Sequence, residues 1–391
     1  MANGNCHTKL GGCIFIVAVA SLILSSGFVD SRKFGTEKPN NPVKTIKGDG
    51  GDLIDCVDIY KQPALNHPLL KNHTIQLTQP ASSYPSGINE PETSDDDELF
   101  QSWRLNGECP EGTIPIVRRQ RFESDVIHKS KPTPQFNGSK VVGITASPGY
   151  EYALVTLSGS KYYGTQATLN VWNPASFNNE HSIAQIWISD GDGEARSTIE
   201  AGWIRNSADK YTRLFTFWTG DNYKGGCYNL RCPGFVQISR KFSLGYAIKP
   251  VSSYNGKQYD ISISIFMGTA QWWLKVQNEV LGYWPDTIFS GLKDGADRIS
   301  WGGEITNSGT GGRHTSTQMG SGHFPSEGFA KASYFRSLQY ADNTRNFKDV
   351  ENLETYATKP LCYDVLLTKR TPTYGTHFYF GGPGYSRSCP N

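Results

Sequence analysis

From about residue 143 to its end, the chain returns again and again to short runs in which apolar and polar residues alternate. The clearest are residues 152–156, 167–172, 182–188, 197–203, 212–218, 235–239, 259–265, 271–277 and 298–301. A two-residue period turns one side of each run toward a core, as a half-buried strand requires. Turn formers separate the runs, among them Asp190-Gly-Asp-Gly193 and Lys224-Gly-Gly226, and a last strand and turn are expected over 376–384. Helical periodicity is almost absent, so this stretch reads as one all-β domain, a sandwich or a barrel. The composition agrees: 20 Tyr, 19 Phe and 9 Trp stand against 3 Met, and Gly reaches 41. No internal repeat is visible, which disfavours a propeller or solenoid.

The region ahead of that domain has a different character. One lysine, Lys9, precedes an apolar run over residues 13–24, and Ser25-Ser26-Gly27 follows it. This is the layout of a secretory signal peptide over 1–27, and the run is short for a membrane span of roughly 20 residues. Residues 28–140 read as a separate, smaller unit of mixed structure. It begins with a Lys/Pro/Gly/Asn-rich segment, includes the acidic run Asp95-Asp96-Asp97-Glu98, and ends in the Pro-rich linker 129–140. A short helical patch is expected near 119–128. The main domain then occupies 141–391.

Two of the eight cysteines, Cys6 and Cys13, lie in the signal segment. The remaining six suit an oxidising compartment and three disulfides. Sequence proximity favours Cys56 with Cys109, Cys227 with Cys232, and Cys362 with Cys389. The Cys227–Cys232 spacing also suggests a metal site, but no second pair accompanies it, so no metal is assigned. Asn72-His-Thr74 and Asn137-Gly-Ser139 are glycosylation sequons. A net charge of +2 gives no electrostatic case for nucleic acid or for an anionic membrane surface.

The familiar nucleophile and metalloprotease signatures are missing. His181, His314, His323 and His377 have no metal-like spacing and read as surface or turn histidines. Asp190-Gly-Asp-Gly-Glu194 begins like a calcium loop but lacks the later ligands, so it reads as a hairpin turn. Two carboxylates stand out instead. In Ser197-Thr-Ile-Glu200-Ala-Gly-Trp203, alternation puts Thr198, Glu200 and Gly202 on one face. In Trp301-Gly-Gly-Glu304-Ile-Thr, Glu304 follows two glycines, which leave room for another backbone or a ligand. Glutamate is depleted in strands of this kind. If the two face one groove their titrations couple, one staying protonated while the other polarises a water. The structural alternative is an edge-strand carboxylate reaching solvent or paired with Arg205, Arg213 or Arg298.

These stretches resemble the plant neprosin-type glutamic peptidases over nearly all of the chain beyond the signal. The activation-peptide part of that family is matched by Ile54-Asp-Cys56-Val-Asp-Ile-Tyr60-Lys-Gln-Pro63 and by Cys109-Pro-Glu-Gly-Thr-Ile-Pro115. The catalytic part is matched by Val171-Trp-Asn-Pro174, Ile199-Glu200-Ala-Gly-Trp203, Gly226-Cys227-Tyr-Asn-Leu-Arg-Cys232 and Trp301-Gly-Gly-Glu304. The resemblance implies a β-sandwich of two antiparallel sheets whose concave face holds two catalytic glutamates, here Glu200 and Glu304. It also implies a secreted zymogen, in the apoplast or the vacuole, that cleaves peptides in a proline-directed way at acidic pH without a cofactor.

The partners that follow are a peptide or protein substrate and the chain's own pro-domain as intramolecular inhibitor, in a monomer free of the membrane once the signal is cleaved. Gln185 or Gln271 would stabilise the oxyanion, each being equally a plain sheet-pairing residue. Trp187, Trp203, Trp218, Trp272 and Trp273 would floor a proline-accepting cleft, or simply pack the core. Two other readings compete: a lectin-like or wall-binding sandwich without catalysis, and a two-carboxylate glycosidase.

Overall fold

The computed structural model describes residues 42–79, 101–118, 149–309 and 312–390. The expected signal peptide, the 129–140 linker, the patch near 119–128 and Asn137 lie outside them. Asn72 is within them and exposed.

The first strands are β1 (Lys44–Lys47), β2 (Leu53–Asp58) and β3 (Thr113–Val117), which pair antiparallel in the order β1-β2-β3. Short 3-10 turns at Ile59–Lys61, Pro63–Asn66, Pro68–Leu70 and Ser102–Asn106 accompany them. The unit is therefore small and mixed, as its sequence suggested.

The chain continues with β4 (Tyr150–Tyr162), β5 (Gly164–Asn170), β6 (His181–Asp190), β7 (Ser197–Asn206), β8 (Arg213–Thr219), β9 (Cys227–Tyr228) and β10 (Val236–Gln237). Next come β11 (Asp260–Met267), β12 (Gln271–Val276), β13 (Glu279–Pro285), β14 (Ala296–Thr306), β15 (Met319–Gly320) and β16 (Ser333–Ala341). The last are β17 (Phe347–Asp349), β18 (Glu354–Ala357), β19 (Asp364–Leu367) and β20 (Phe378–Gly382).

They form two antiparallel sheets. One has seven strands in the order β18-β4-β14-β6-β7-β8-β9. The other has ten, in the order β10-β13-β12-β11-β5-β16-β20-β15, with β17 on β16 and β19 on β20. The core lies between them. From the seven-stranded sheet it takes Val155, Ile186, Ile199, Trp203 and Trp301, and from the other Leu169, Ile263, Leu274, Phe335 and Phe380. The chain is thus an all-β, two-sheet sandwich behind a small mixed unit.

The outer faces of the two sheets differ. On the ten-stranded sheet, the outer residues of β5 and β11 are largely polar, Phe266 excepted, and Thr168 and Ser262 share a 2.9 Å hydroxyl bond there. On the seven-stranded sheet the outer residues are largely aromatic and buried: Tyr150, Tyr152, Trp187, Phe215, Phe217 and Tyr228. A sheet with apolar residues on both faces is prepared to bury the second face as well.

Three disulfides join Cys56 to Cys109, Cys227 to Cys232, and Cys362 to Cys389, the pairs that proximity favoured. The first lies within the N-terminal unit, which docks on the sandwich through a shared core. In it Ile46, Ile54, Cys56, Trp103 and Cys109 pack with Tyr246 and Ala247. Two glutamines add neutral clasps. Gln62 accepts from Gln237 N at 2.8 Å and donates to the Gln237 carbonyl at 3.1 Å. Gln101 does the same with Ser243, at 2.7 and 2.9 Å. Among the described residues, no helix is long and apolar enough to cross a membrane.

Candidate active site

The outer face of the seven-stranded sheet owes its order to three adjacent strands, β14, β6 and β7, paired without a register shift where the two glutamates lie. Gln185 sits mid-strand in β6, opposite Gly302 of β14 on one side and Gly202 of β7 on the other. Residues opposite one another in an antiparallel pair share a face, as do residues two apart on one strand. Glu304, two beyond Gly302, and Glu200, two before Gly202, therefore lie on the same face as Gln185. Each is a diagonal neighbour of Gln185, with Cα atoms roughly 7–8 Å apart in such a pairing. The two carboxylates thus flank one amide, on opposite sides and at opposite ends.

The glycines beside Gln185 admit no substitute. A Cβ at Gly202 would run into the Ala184 carbonyl oxygen, and one at Gly302 into that of Ala153. Gly302 also has φ +154°, which disfavours a side chain in its own right.

All three polar groups are removed from water: Gln185 and Glu200 are 0 % exposed and Glu304 is 1 % exposed. Gln185 Nε2 donates to Glu304 Oε2 at 3.2 Å, and His181 Nε2 lies 3.2 Å from Glu304 Oε1. The Gln185 carbonyl oxygen is buried with no hydrogen-bond partner. On the other side, the Tyr223 hydroxyl donates to Glu200 Oε1 at 2.8 Å and Thr198 donates to the same oxygen at 3.2 Å.

Tyr223 is held there against its backbone preference. It has φ +62°, and Asn222 before it has φ +56°. Two consecutive non-glycine residues in the left-handed region cost free energy that the surroundings must offset. The Tyr223 amide donates to Thr219 Oγ1 at 3.1 Å, and its ring stacks on Phe217 at 5.9 Å and 5°.

Aromatic rings frame the carboxylates. Trp187 pairs with Glu200 across β6 and β7 and meets Tyr152 edge-on at 6.4 Å. Phe217 is opposite Glu200 on β8 and contacts Tyr228 at 4.5 Å. Arg298, also on β14, is the nearest guanidinium along this face of its strand. Burial lowers its pKa, partly offset by Asp297.

Several sequence-based candidates go elsewhere. Gln271 belongs to β12 in the other sheet, bonded to Gln76, so only Gln185 of the two amides accompanies the glutamates. Trp203, Trp218 and Trp272 are core residues between the sheets, and Trp273, opposite Phe266 and Tyr283, is buried on the outer face of the ten-stranded sheet, leaving Trp187 as the one of the five on the glutamate face. The expectation that His181 is a surface or turn residue is overturned: it is 2 % exposed and bonded to Glu304. His314 and His377 are buried as well.

The alternation of β6 could have revealed His181, since it shares the parity of Gln185. Tyr223 carried no such signal, because it reaches the site from a loop. His314, Cys362 and Cys389 bring potential ligand atoms within 4.8 Å of one another, but the two sulfurs are joined in a disulfide and offer no thiolate. The 190–194 stretch is the β6–β7 connection, with a 3-10 turn at Gly193–Ala195.

Chemically, the face presents two carboxyl groups, an amide between them and hydrophobic walls. That set can activate water, supply a proton and hold a polarised carbonyl oxygen without a metal or a covalent nucleophile.

The family model described as neprosin matches residues 178–383, and the one described as neprosin activation peptide matches 45–156. Among solved structures, a scytalido-glutamic peptidase with a peptide-based transition-state analogue is similar at 12 % identity. It covers 60 % of this chain and 97 % of its own, with a TM-score of 0.32. SCP-B, a member of the eqolisin peptidases bound to the tripeptide Ala-Ile-His, gives the same figures: 12 %, 60 %, 97 % and 0.32. CG-16, a homodimeric agglutinin from chicken liver, is 10 % identical over 40 % of this chain and 95 % of its own, at 0.22. At such TM-scores none of the three bears on what this chain does.

Proposed function

The chain belongs to the neprosin family, with an activation-peptide domain ahead of its peptidase domain, and on that premise we propose that it is a glutamic endopeptidase. Glu200 and Glu304 are its catalytic pair. The observation that carries this reading is their diagonal placement about Gln185 on one buried face. In the proposed reaction the ionised member of the pair takes a proton from water, and the resulting hydroxide attacks the scissile carbonyl carbon. The protonated member then gives its proton to the leaving amine as the C–N bond breaks. The Gln185 amide donates to the developing oxyanion.

The substrate preference we propose is proline-directed. Trp187, Tyr152 and Phe217 stand on the same face as the carboxylates, and flat rings of this size bury and stack against a pyrrolidine. The chain is made as a secreted, glycosylated, monomeric zymogen, with a signal over 1–27, a pro-domain over 28–140 and the peptidase domain from 141. Latency agrees with the burial of both carboxylates, since a substrate reaches them only once that face opens.

The test incubates the secreted protein between pH 3 and 6, sequences the new N-termini and digests a peptide library. Peptide cleavage clustered at proline, lost by about 10²–10⁴-fold in E200Q and in E304Q, is expected. Unchanged cleavage in either variant overturns the assignment. Polysaccharide turnover without peptide cleavage replaces it by a glycosidase.

A further inference from the structure

The β8–β9 connection is a short turn tied by its own polar groups. Thr219 closes β8, and its hydroxyl donates to Asp221 Oδ1 at 2.9 Å while accepting from the Tyr223 amide at 3.1 Å. Asp221 Oδ1 also accepts from Gly225 N at 2.9 Å, and the Asn222 amide donates to the Arg196 carbonyl at 2.8 Å. A Cβ at Gly220 would come within 2.7 Å of the Ile288 carbonyl oxygen, so the turn is pressed against that backbone as well. Held at these points, it keeps Asn222 at φ +56° and Tyr223 at φ +62°, where a bulky side chain is an outlier. Strain of this sort persists only where the surroundings over-determine it, and such places cluster at functional sites.

The product of the turn is one placed hydroxyl. The Tyr223 ring is buried and nearly parallel to that of Phe217, at 5°, and Phe217 is the β8 partner of Glu200. From there the hydroxyl reaches Glu200 Oε1 at 2.8 Å, beside the Thr198 hydroxyl at 3.2 Å. Phenylalanine would satisfy the stacking equally, so stacking alone does not account for a tyrosine. A hydroxyl both donates and accepts, whereas an ammonium or a guanidinium only donates. Two hydroxyls therefore hold the Glu200 carboxyl in either state: they donate to a carboxylate and accept from a carboxylic acid.

Resting on the peptidase reading, we propose that Tyr223 is a positioning residue, whose hydroxyl fixes the direction of the Glu200 carboxyl with or without its proton. The strained turn is what places that hydroxyl in advance. The role is the same whichever member of the pair is protonated at the start. A carboxyl group exchanges a proton only with an atom within about 2.6–3.2 Å. A displacement of about 1 Å costs on the order of 10²-fold in rate.

Steady-state kinetics of the full-length protein, incubated in acid and given a proline-containing fluorogenic peptide, tests this in Y223F, which keeps the ring and loses the hydroxyl. A fall in kcat of about 10- to 10²-fold with KM unchanged is expected, by the same factor across the acidic range. An unchanged kcat overturns the proposal. So does a displaced limb of the pH profile, which would make Tyr223 a group that sets the charge of Glu200 and not its direction. T219V frees the Tyr223 amide while leaving both rings in place, and its loss of kcat is expected not to multiply with that of Y223F. Full multiplication overturns the part given to the turn.

Urea melts need no turnover. In the cycle of Y223F, E200A and the double variant, residues in contact are coupled, so the double variant is expected to lose less stability than the two single losses summed. Strict additivity overturns the contact. Should wild type cleave no peptide, the peptidase reading fails while the melts still decide whether Tyr223 holds Glu200.

Discussion

Asp52 and Arg213 form a buried ion pair, with Oδ2 and Nη1 2.7 Å apart, that fastens the N-terminal unit to the edge of the glutamate-bearing sheet. Arg213 opens β8 and stands opposite Ile204, which is opposite Ile183, which is opposite Glu304. The clasp thus shares a row with one of the two carboxylates, three strands away. Burial on its own would lower the Arg213 pKa, but its bonds to Asp209 and Asp52 more than offset that and raise it.

Breaking this pair from the Asp52 side leaves a guanidinium buried without its counter-charge. Removing one partner of a buried pair costs about 3–5 kcal/mol. Asp209 and the Gly245 carbonyl still hold Arg213, so the lower end of that range is expected for D52A. Thermal melts and limited proteolysis of the full chain check it: a fall in Tm with earlier cleavage between the unit and the sandwich is the expected outcome.

Acid weakens the same junction through Asp49. The Ser102 hydroxyl and then Lys249 hold its carboxyl below the ordinary carboxylate range. A depressed pKa contributes stability above the unfolded-state value and loses it as pH falls through the folded-state one. The Tm gap between wild type and D49N is therefore expected to be present at pH 5 and to close as pH falls well below 4. A gap that persists in strong acid removes Asp49 from the account.

Gln185 has two tasks in the proposed reaction, donating to Glu304 at rest and to the oxyanion during attack. Loss of one oxyanion donor lowers kcat by about 10²–10³. Q185L is expected to show that fall with little change in KM, because the side chain binds the transition state more than the ground state. Steady-state kinetics separates the two parameters, and a change confined to KM would make Gln185 a binding residue.

Gly202 is predicted to be the least replaceable residue near the site that carries no chemistry. A methyl group there collides with the backbone of β6 at Ala184 and Gln185 and not with a movable side chain. Overpacking of this kind costs about 1–3 kcal/mol, occasionally more. G202A should lower Tm and activity together. G312A, at an open position, should lower Tm less, the cost there being only the φ of +74°.

Much of the sandwich was legible because most of its strands keep strict alternation. The runs at 182–188, 197–203 and 298–301 lie within β6, β7 and β14, and 212–218 overlaps β8 in all but its first residue, all of them in the seven-stranded sheet. β16 gave no such run, and the reason is local. Its register shifts between Arg336 and Gln339, and Ser337 there has φ +54°, so the two-residue period breaks mid-strand. β13 is similarly masked: Gly282 interrupts it, Pro285 ends it, and its pairing with β12 shifts register. Strands whose regularity depends on a neighbour's bulge cannot announce themselves by period.

What the sequence alone determined about this protein is the strand content, the parity of Glu200 and Glu304 within their own strands, and cysteines spaced to pair locally. Period two is a property of each strand by itself, so it needs no partner to be read. The tertiary structure decided which strands are neighbours, and that alone put β6 between the two glutamates. Pairing register then set Gln185 on the diagonal between them, brought His181 to Glu304, and let a loop tyrosine reach Glu200. Register and strand order arise from contacts between residues far apart in the chain, on which local pattern carries no information.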